Sequence, residues 1–370
     1  MSKIGIITLY KDNFGSILQA YSTCTYIDSI GNKCDILEIR QTNTLRSKIS
    51  KLPAIFYRCL RYKSYFNDRK SIRINSTKER KLLSESTRLK MSKFVEDTFR
   101  VRFVNFKDLK KINKEYDFFI TGSDQVWNGY YSYRFLCFAD RKKRIALAPS
   151  FGSEVKKYYK RDIRRGLDGF DVLSTREESG VKIIKELTGK DAIRLADPTI
   201  LLTKKEWENF SNQGIKKENY ILLHFLNKPN SVAIDTINLY LEKNDCNVYC
   251  ISNKYTEYES FRNYKFLDAD PYDYVSLING ANYVFTDSFH STLFSLNLET
   301  QFLTFERQYL HNNPQNGRIV DLLRRVNMQE HFVSNVALSN FEKEVQWSSQ
   351  MLFGEEQLKL KKYIKKALNG

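Results

Sequence analysis

Two doubly wound α/β domains are predicted for this chain by three observations: a βαβ unit in the first forty residues, a second alternating series of strands and helices from Tyr220 onward, and a strand-turn-helix at 281–296. In the first unit, residues 3–9 read as a strand, 16–30 as a helix and 33–39 as the next strand, with Gly15 after a short loop. That loop lacks the three-glycine dinucleotide fingerprint, so no nicotinamide or flavin cofactor is expected. Further strands are expected at 118–121, 145–149, 171–174 and 193–196, and residues 207–218 read as polar connecting material. The second series supplies strands at 220–225, 247–251, 283–286 and 301–305. The expected organisation is an N-terminal domain at 1–205 with a basic helical insertion at about 41–115, a C-terminal domain at 215–340, and an amphipathic helix within 341–370. That last helix is read from 355–368, where Leu358, Ile364 and Leu368 stand among lysines. It is expected to pack back across the first domain, with membrane contact as the alternative.

Composition narrows the class. A hydrophobic content of 42% with 14% aromatics argues against disorder in a chain of 370 residues, which is long enough for two cores. The six cysteines, Cys24, Cys34, Cys59, Cys137, Cys246 and Cys250, are scattered and lack metal-ligand spacing, so free thiols in a reducing compartment are expected and no metal site. No amino-terminal signal pattern and no apolar run of membrane length is seen, which gives a cytoplasmic, soluble or peripheral protein as the expectation. The net charge of +17 exceeds what solubility requires. Between Arg40 and Glu115 there are 22 Lys/Arg against 7 acids, interleaved with Phe56, Tyr57, Tyr62, Tyr65 and Phe66. No nucleic-acid module surrounds this stretch, so nucleic acid is not expected as a partner. An anionic membrane at the inner face of the cell is a candidate partner, and a solvated insertion is the plain alternative.

Two segments carry candidate chemistry. In the run from Ala281 to Leu296, His290 lies where open α/β sheets bind ligands, at the end of a strand and beside helix amides that attract anions. The plain alternative is that Asp287, Ser288, Ser291 and Thr292 only cap the helix and His290 packs beneath it. His224, His311 and His331 lack that hydroxyl-rich setting. In the run from Tyr116 to Asn128, an apolar strand meets Gly122 and Ser123, then Asp124, Gln125 and Trp127. Asp124 and Gln125 offer the hydrogen bonds that sugars need, whereas a structural turn with Trp127 in the core is the commoner use of such residues.

The ordered motifs Asn13-Phe14-Gly15, Gly122-Ser123-Asp124-Gln125-Val126-Trp127-Asn128, Ser150-Phe151-Gly152, Ser174-Thr175-Arg176-Glu177, Asp197-Pro198-Thr199 and Ser288-Phe289-His290-Ser291-Thr292 resemble the polysaccharide pyruvyl transferase family. The resemblance spans about residues 1–325, and the run from Gly122 to Asn128 is its most specific part. It implies two Rossmann-like domains facing a cleft, similar to the two-domain (GT-B type) glycosyltransferases. The implied reaction moves a pyruvyl group from phosphoenolpyruvate to hydroxyls of a sugar in a polysaccharide or its lipid-linked precursor, forming a ketal, with no cofactor and no metal. His290 and Asp124 are the implied catalytic residues, with Asp287 and Glu178 as substitutes for Asp124. The implied donor site comprises Arg176, Ser288, Phe289, His290, Ser291 and Arg318. The implied acceptor site comprises Asn13, Gly15, Ser123, Asp124, Gln125 and Trp127. Asp197 is expected to brace the turn before Pro198. A histidine beside a phosphate dianion is expected to hold its proton above the reference value of about 6.5.

Two positions depart from the pattern of some members. Ser288 stands where they carry an arginine, so a second donor cation is expected from Arg318, with Arg307 in reserve. Ser291 stands where others carry glycine, and its hydroxyl either narrows the approach to the backbone or adds a phosphate bond. The competing readings are a glycosyltransferase using a nucleotide sugar and a basic glycan-binding protein without turnover.

Overall fold

The computed structural model describes residues 1–40, 52–62, 64, 65, 67, 68, 70, 83–211, 218–307, 316–335 and 349–369. Its first sheet starts with β1 (Lys3–Ile7), in which Ile4, Ile6 and Ile7 are buried, as expected of a central parallel strand covered on both faces. Helix α1 (Phe14–Ser29) follows, capped by Asn13, whose side chain accepts the Ser16 N–H at 3.1 Å, and β2 (Lys33–Arg40) closes the βαβ unit. The described part of the basic insertion holds α2 (Leu52–Arg61) and α3 (Glu85–Thr98). Arg46 and most of its neighbouring basic residues lie outside the described residues. The insertion is not wholly helical: β3 (Val101–Asn105) pairs with β2 at the edge of the sheet. With Arg102 in it and most of its residues uncovered, this strand lacks the apolar run that marks a buried one. With β4 (Phe118–Thr121) and β5 (Arg144–Ala146), the parallel order is β3-β2-β1-β4-β5.

Beyond this sheet, α4 (Lys160–Asp168) leads to a separate two-stranded pair, β6 (Ser174–Thr175) and β7 (Ile193–Arg194), joined by α5 (Glu178–Thr188). The strands expected at 171–174 and 193–196 are therefore short and outside the main sheet. The segment expected to be a polar connection from Trp207 is also corrected. Trp207 belongs to α6 (Lys204–Phe210) and is fully buried, its Nε1 donating to the Thr199 carbonyl at 2.9 Å. A Thr203–Glu206 capping box starts this helix, so its polar residues are end signals rather than loop signals.

The second sheet has six parallel strands in the order β10-β9-β8-β11-β12-β13. In chain order these are β8 (Tyr220–His224), helix α7 (Ser231–Lys243), β9 (Asn247–Cys250), β10 (Tyr264–Phe266), helix α8 (Pro271–Gly280), β11 (Tyr283–Thr286), helix α9 (Phe289–Leu298), β12 (Phe302–Phe305), helix α10 (Gly317–Arg325) and β13 (Phe332–Val333). All five residues of β8 and all four of β11 are buried, which matches their central place. The last helix, α11 (Ser349–Leu368), returns to the first domain: Gln357 Nε2 donates to the Ile200 carbonyl at 2.8 Å and Tyr363 Oη to the Ala146 carbonyl at 2.7 Å. Leu360, Ile364 and Leu368 are buried in this contact, whereas Leu358 faces solvent, so one residue of the expected apolar stripe is replaced by its neighbour two positions on. Among the described residues no helix is long and apolar enough to cross a membrane.

Candidate active site

Between the two sheets lies a cavity of about 520 Å³. The first domain lines it with Asp12, Asn13 and Ser16 after β1, with Asp124, Gln125 and Asn128 after β4, and with Arg88 from α3. The second domain contributes Leu226 and Asn227 after β8, Ser252 and Asn253 after β9, Ser288 to His290 after β11, Arg307 after β12, and Arg318 on α10. The strand order reverses between β1 and β4 and again between β8 and β11. The two switch points, where loops part to opposite faces of a sheet, thus face each other across one cavity.

Each chemical group is placed by its local structure. Ser288 caps α9, and His290 is the second residue of that helix, at its positive end. His290 Nε2 lies 3.5 Å from Oδ2 of Asp197, which comes from the first domain. The same oxygen accepts from Arg176 Nη1 at 2.6 Å and from Ser123 Oγ at 3.1 Å, while Oδ1 accepts the Thr199 N–H and hydroxyl, each at 3.0 Å. Asp197 thus braces the turn as expected and also ties three site motifs together. Burial works against its ionisation, but His290, Arg176 and the Thr199 N–H outweigh burial and hold its carboxyl well below the usual carboxylate range.

Asp124 adopts a left-handed backbone, with φ of 60°, and accepts the Ser16 hydroxyl at 2.5 Å. Burial opposes its charge too. His290, Arg176, the Ser16 hydroxyl and Arg318 together prevail and lower its pKa. Such a carboxylate is a weak base, suited to accepting a hydrogen bond and balancing positive charge. Two cations line the opposite wall. Arg318 is buried; desolvation and then Arg176 bring its pKa down to about 10, so it stays protonated near neutrality. Arg307 donates from Nε to Asp287 Oδ2 at 3.1 Å and from Nη2 to the Asp287 carbonyl at 2.8 Å. Asp287 also accepts the Leu226 and Asn227 N–H groups at 2.7 and 3.0 Å. It therefore fixes a cation and a loop, and cannot substitute for Asp124 as a free carboxylate; Glu178 is exposed at the start of α5, off the cavity.

Asn13, Asp124, Gln125, Ser288, Phe289, His290 and Arg318 reach the cavity, but five other expected contacts form a layer behind it. Arg176 is fully buried between Glu177 and Asp197, with Nε donating to Glu177 at 2.8 Å and its guanidinium 4.3 Å from the Phe289 ring centroid. Ser123 is buried on Asp197. Trp127 stacks on Phe135 with ring centroids 5.2 Å apart, in the core of the first domain. Ser291 turns inward because helical rotation carries it a further 100° or so from His290. Its hydroxyl meets His224 Nδ1 at 2.5 Å and Tyr274 Oη at 2.9 Å. Gly15 makes no contact with the cavity; a Cβ there would lie 2.1 Å from the His290 ring, so only glycine lets α1 and α9 approach this closely. Gly152, at φ of 73°, likewise leaves room for Gln125, since its Cβ would fall 2.4 Å from Oε1.

Other site residues escaped the sequence reading. His224 ends the buried strand β8 directly behind His290, and burial, followed by Arg307 and His290, depresses its pKa to about 3, so it is neutral. Its position at a strand end was the available signal. Arg88 had none, because only the docking of α3 on the second domain carries it to the cleft: Ser84 Oγ and Thr87 Oγ1 both donate to Asp268, the latter at 3.2 Å. Asn227 and Asn253 follow strands that were located, in loops with no distinctive composition.

The sequence matches the family model described as polysaccharide pyruvyl transferase over residues 13–309, a span that takes in both walls of this cavity. The chain belongs to that family. No curated protein matches the sequence. Among solved structures, the transferase is similar to the UDP-N-acetylglucosamine 2-epimerase of Rickettsia bellii, at 10% identity and a TM-score of 0.52, over 100% of this chain and 97% of the other. It is similar also to a Listeria monocytogenes protein assigned as a UDP-N-acetylglucosamine 2-epimerase, at 8% identity and a TM-score of 0.50, over 97% and 90%. At such identity the likeness speaks for the fold, which is the two-domain GT-B type.

In this transferase Gly15→Ala is expected to keep the fold while displacing His290. Overpacking of this kind costs about 1–3 kcal/mol, so a modest fall in the denaturation midpoint should accompany a large fall in turnover. Unchanged kinetics would show that α1 can yield without moving the imidazole.

Proposed function

We propose that the cleft transfers a pyruvyl group from phosphoenolpyruvate to hydroxyls of a sugar residue in a polysaccharide or its lipid-linked precursor, forming a ketal. The observation that supports this most is the division of the cavity. Arg307, Arg318 and the start of α9 gather positive charge on one wall, while the other presents Asn13, Asp124 and Gln125 as sugar-type hydrogen-bonding groups together with a single arginine, Arg88, and His290 lies between them. The donor, with its phosphate and carboxylate, suits the first wall. A hydroxyl-rich acceptor suits the second.

The chemistry then balances without a cofactor. A proton adds to the donor methylene, making it a methyl group, and a sugar hydroxyl attacks the adjacent carbon. The C–O bond to phosphate breaks, inorganic phosphate leaves, and a second hydroxyl closes the ketal. The two hydroxyls lose two protons; one equivalent ends in the methyl group and the other leaves with phosphate. Asp124 orients the attacking hydroxyl, and the arginines carry the phosphate as it departs.

Arg318→Gln keeps hydrogen-bonding capacity but removes the charge. Donor affinity is expected to fall by about 1.5–3 kcal/mol, roughly ten- to a hundredfold, with acceptor affinity little changed. Calorimetric titration with phosphoenolpyruvate checks this, and equal affinities would remove Arg318 from the donor wall. The reaction itself is tested by mass spectrometry of candidate glycans incubated with protein and phosphoenolpyruvate. Gain of one pyruvyl group per acceptor is expected, and gain of a hexose from a nucleotide sugar instead would overturn the reading.

A further inference from the structure

Helix α2 exposes three large apolar side chains at a spacing of four residues: Leu52 is 56% exposed, Phe56 67% and Leu60 71%. Side chains at i, i+4 and i+8 share one helix face, so these form a continuous stripe. The opposite side of the helix is tied down. Arg58 pairs with Asp162 and lies 5.3 Å from the Tyr159 ring centroid, and just beyond the helix Tyr65 packs edge-on against Tyr158, with centroids 4.9 Å apart. The stripe is thus held outward by a folded base. The sequence around it is basic: residues 51–70 contain six Lys/Arg, at Lys51, Arg58, Arg61, Lys63, Arg69 and Lys70, against one acid, Asp68, and among the described residues Arg61 and Lys70 are exposed.

The base also gives the stripe an address. Tyr159 approaches Gly129, next in sequence to Asn128, which lines the acceptor wall with Gln125. An anionic bilayer meets both demands of this surface, offering hydrocarbon to three side chains and headgroup phosphates to exposed cations such as Arg61 and Lys70. On the C-terminal helix, by contrast, Leu360, Ile364 and Leu368 are buried on the first domain.

We propose that α2 seats the protein on an anionic bilayer through Leu52, Phe56 and Leu60, beside the acceptor wall, so that the glycan acceptor is taken from the membrane surface. The acceptor clause rests on the proposed pyruvyl transfer; the bilayer contact does not. Co-sedimentation of the full chain with vesicles of phosphatidylcholine, alone or mixed with phosphatidylglycerol, tests the contact without any donor. Binding is expected to the mixed vesicles, weakening as salt shortens the screening length. Phe56→Ser with Leu60→Ser should reduce it by about tenfold or more, and Arg61→Gln with Lys70→Gln by roughly fivefold per charge. All four side chains are exposed, and circular dichroism confirms that the variants fold. Transfer to a soluble acceptor should be unchanged in these variants, while transfer to an acceptor embedded in mixed vesicles should fall with binding. A wild-type protein that ignores mixed vesicles overturns the proposal, as does a dimer that Phe56→Ser dissolves, or steeply salt-dependent RNA binding in place of vesicle binding. Vesicle binding with no transfer to any acceptor supports the surface and overturns only the reading of the cleft.

Discussion

His290→Ala is expected to lower turnover by about a hundredfold or more, the range associated with loss of a positioned proton donor, while the protein stays folded. His290 is the one described residue that joins an ionisable ring, the positive end of α9 and the cavity, and it faces Asp197 across the domain boundary. Its side chain is nearly buried, but Gly15 and the cavity bound much of its surface, so truncation leaves space that water can enter. Kinetics separate its two possible duties. A fall in kcat with little change in donor KM assigns proton delivery to the methylene carbon, and a large rise in donor KM assigns the phosphate contact. Wild-type turnover in a folded variant would exclude both.

Arg176→Met is expected to be the more damaging change to the protein itself. The guanidinium is fully buried and answers two buried carboxylates, Glu177 and Asp197. Removing one partner of such a group leaves unpaired charge in a low-dielectric interior, at a cost of about 3–5 kcal/mol. Arg176→Lys should lose less, since an ammonium retains the charge but not the fork that reaches both carboxylates. Chemical denaturation gives the midpoints. Activity should fall alongside stability, because Asp197, still bonded to Ser123 and Thr199, would lose the cation that shares its Oδ2 with His290. Wild-type stability with lost donor affinity would show instead that Arg176 serves the donor directly, as the motif around it implies.

Much of the scaffold was legible because parallel strands buried on both faces leave unbroken apolar runs, as at residues 4–7 and in β8 and β11. Strand β3 was not, since an edge strand bearing Arg102 leaves no such run. The site shows a similar division. Asp124 and His290 were found because they sit at strand ends, where the α/β fold places chemistry. The same rule applied to β8 would have found His224. What sequence did not reveal was which side of each motif faces the cavity: Ser291 and Trp127 turn into cores, and Gly15 serves as space for a ring on the other domain. These are facts of helix rotation and interdomain packing, and Gly15 and His290 lie 275 positions apart in the chain.

If one cavity brings phosphoenolpyruvate and a glycan together, as proposed, release of inorganic phosphate reports it. With wild-type protein, phosphate should appear from phosphoenolpyruvate only when a competent glycan is present, in step with ketal formation, and His290→Ala should suppress both. Nucleotide sugars should yield neither product. Glycan binding with no phosphate released across a broad set of acceptors, or sugar transfer from a nucleotide donor, would rule out pyruvyl transfer in this cleft.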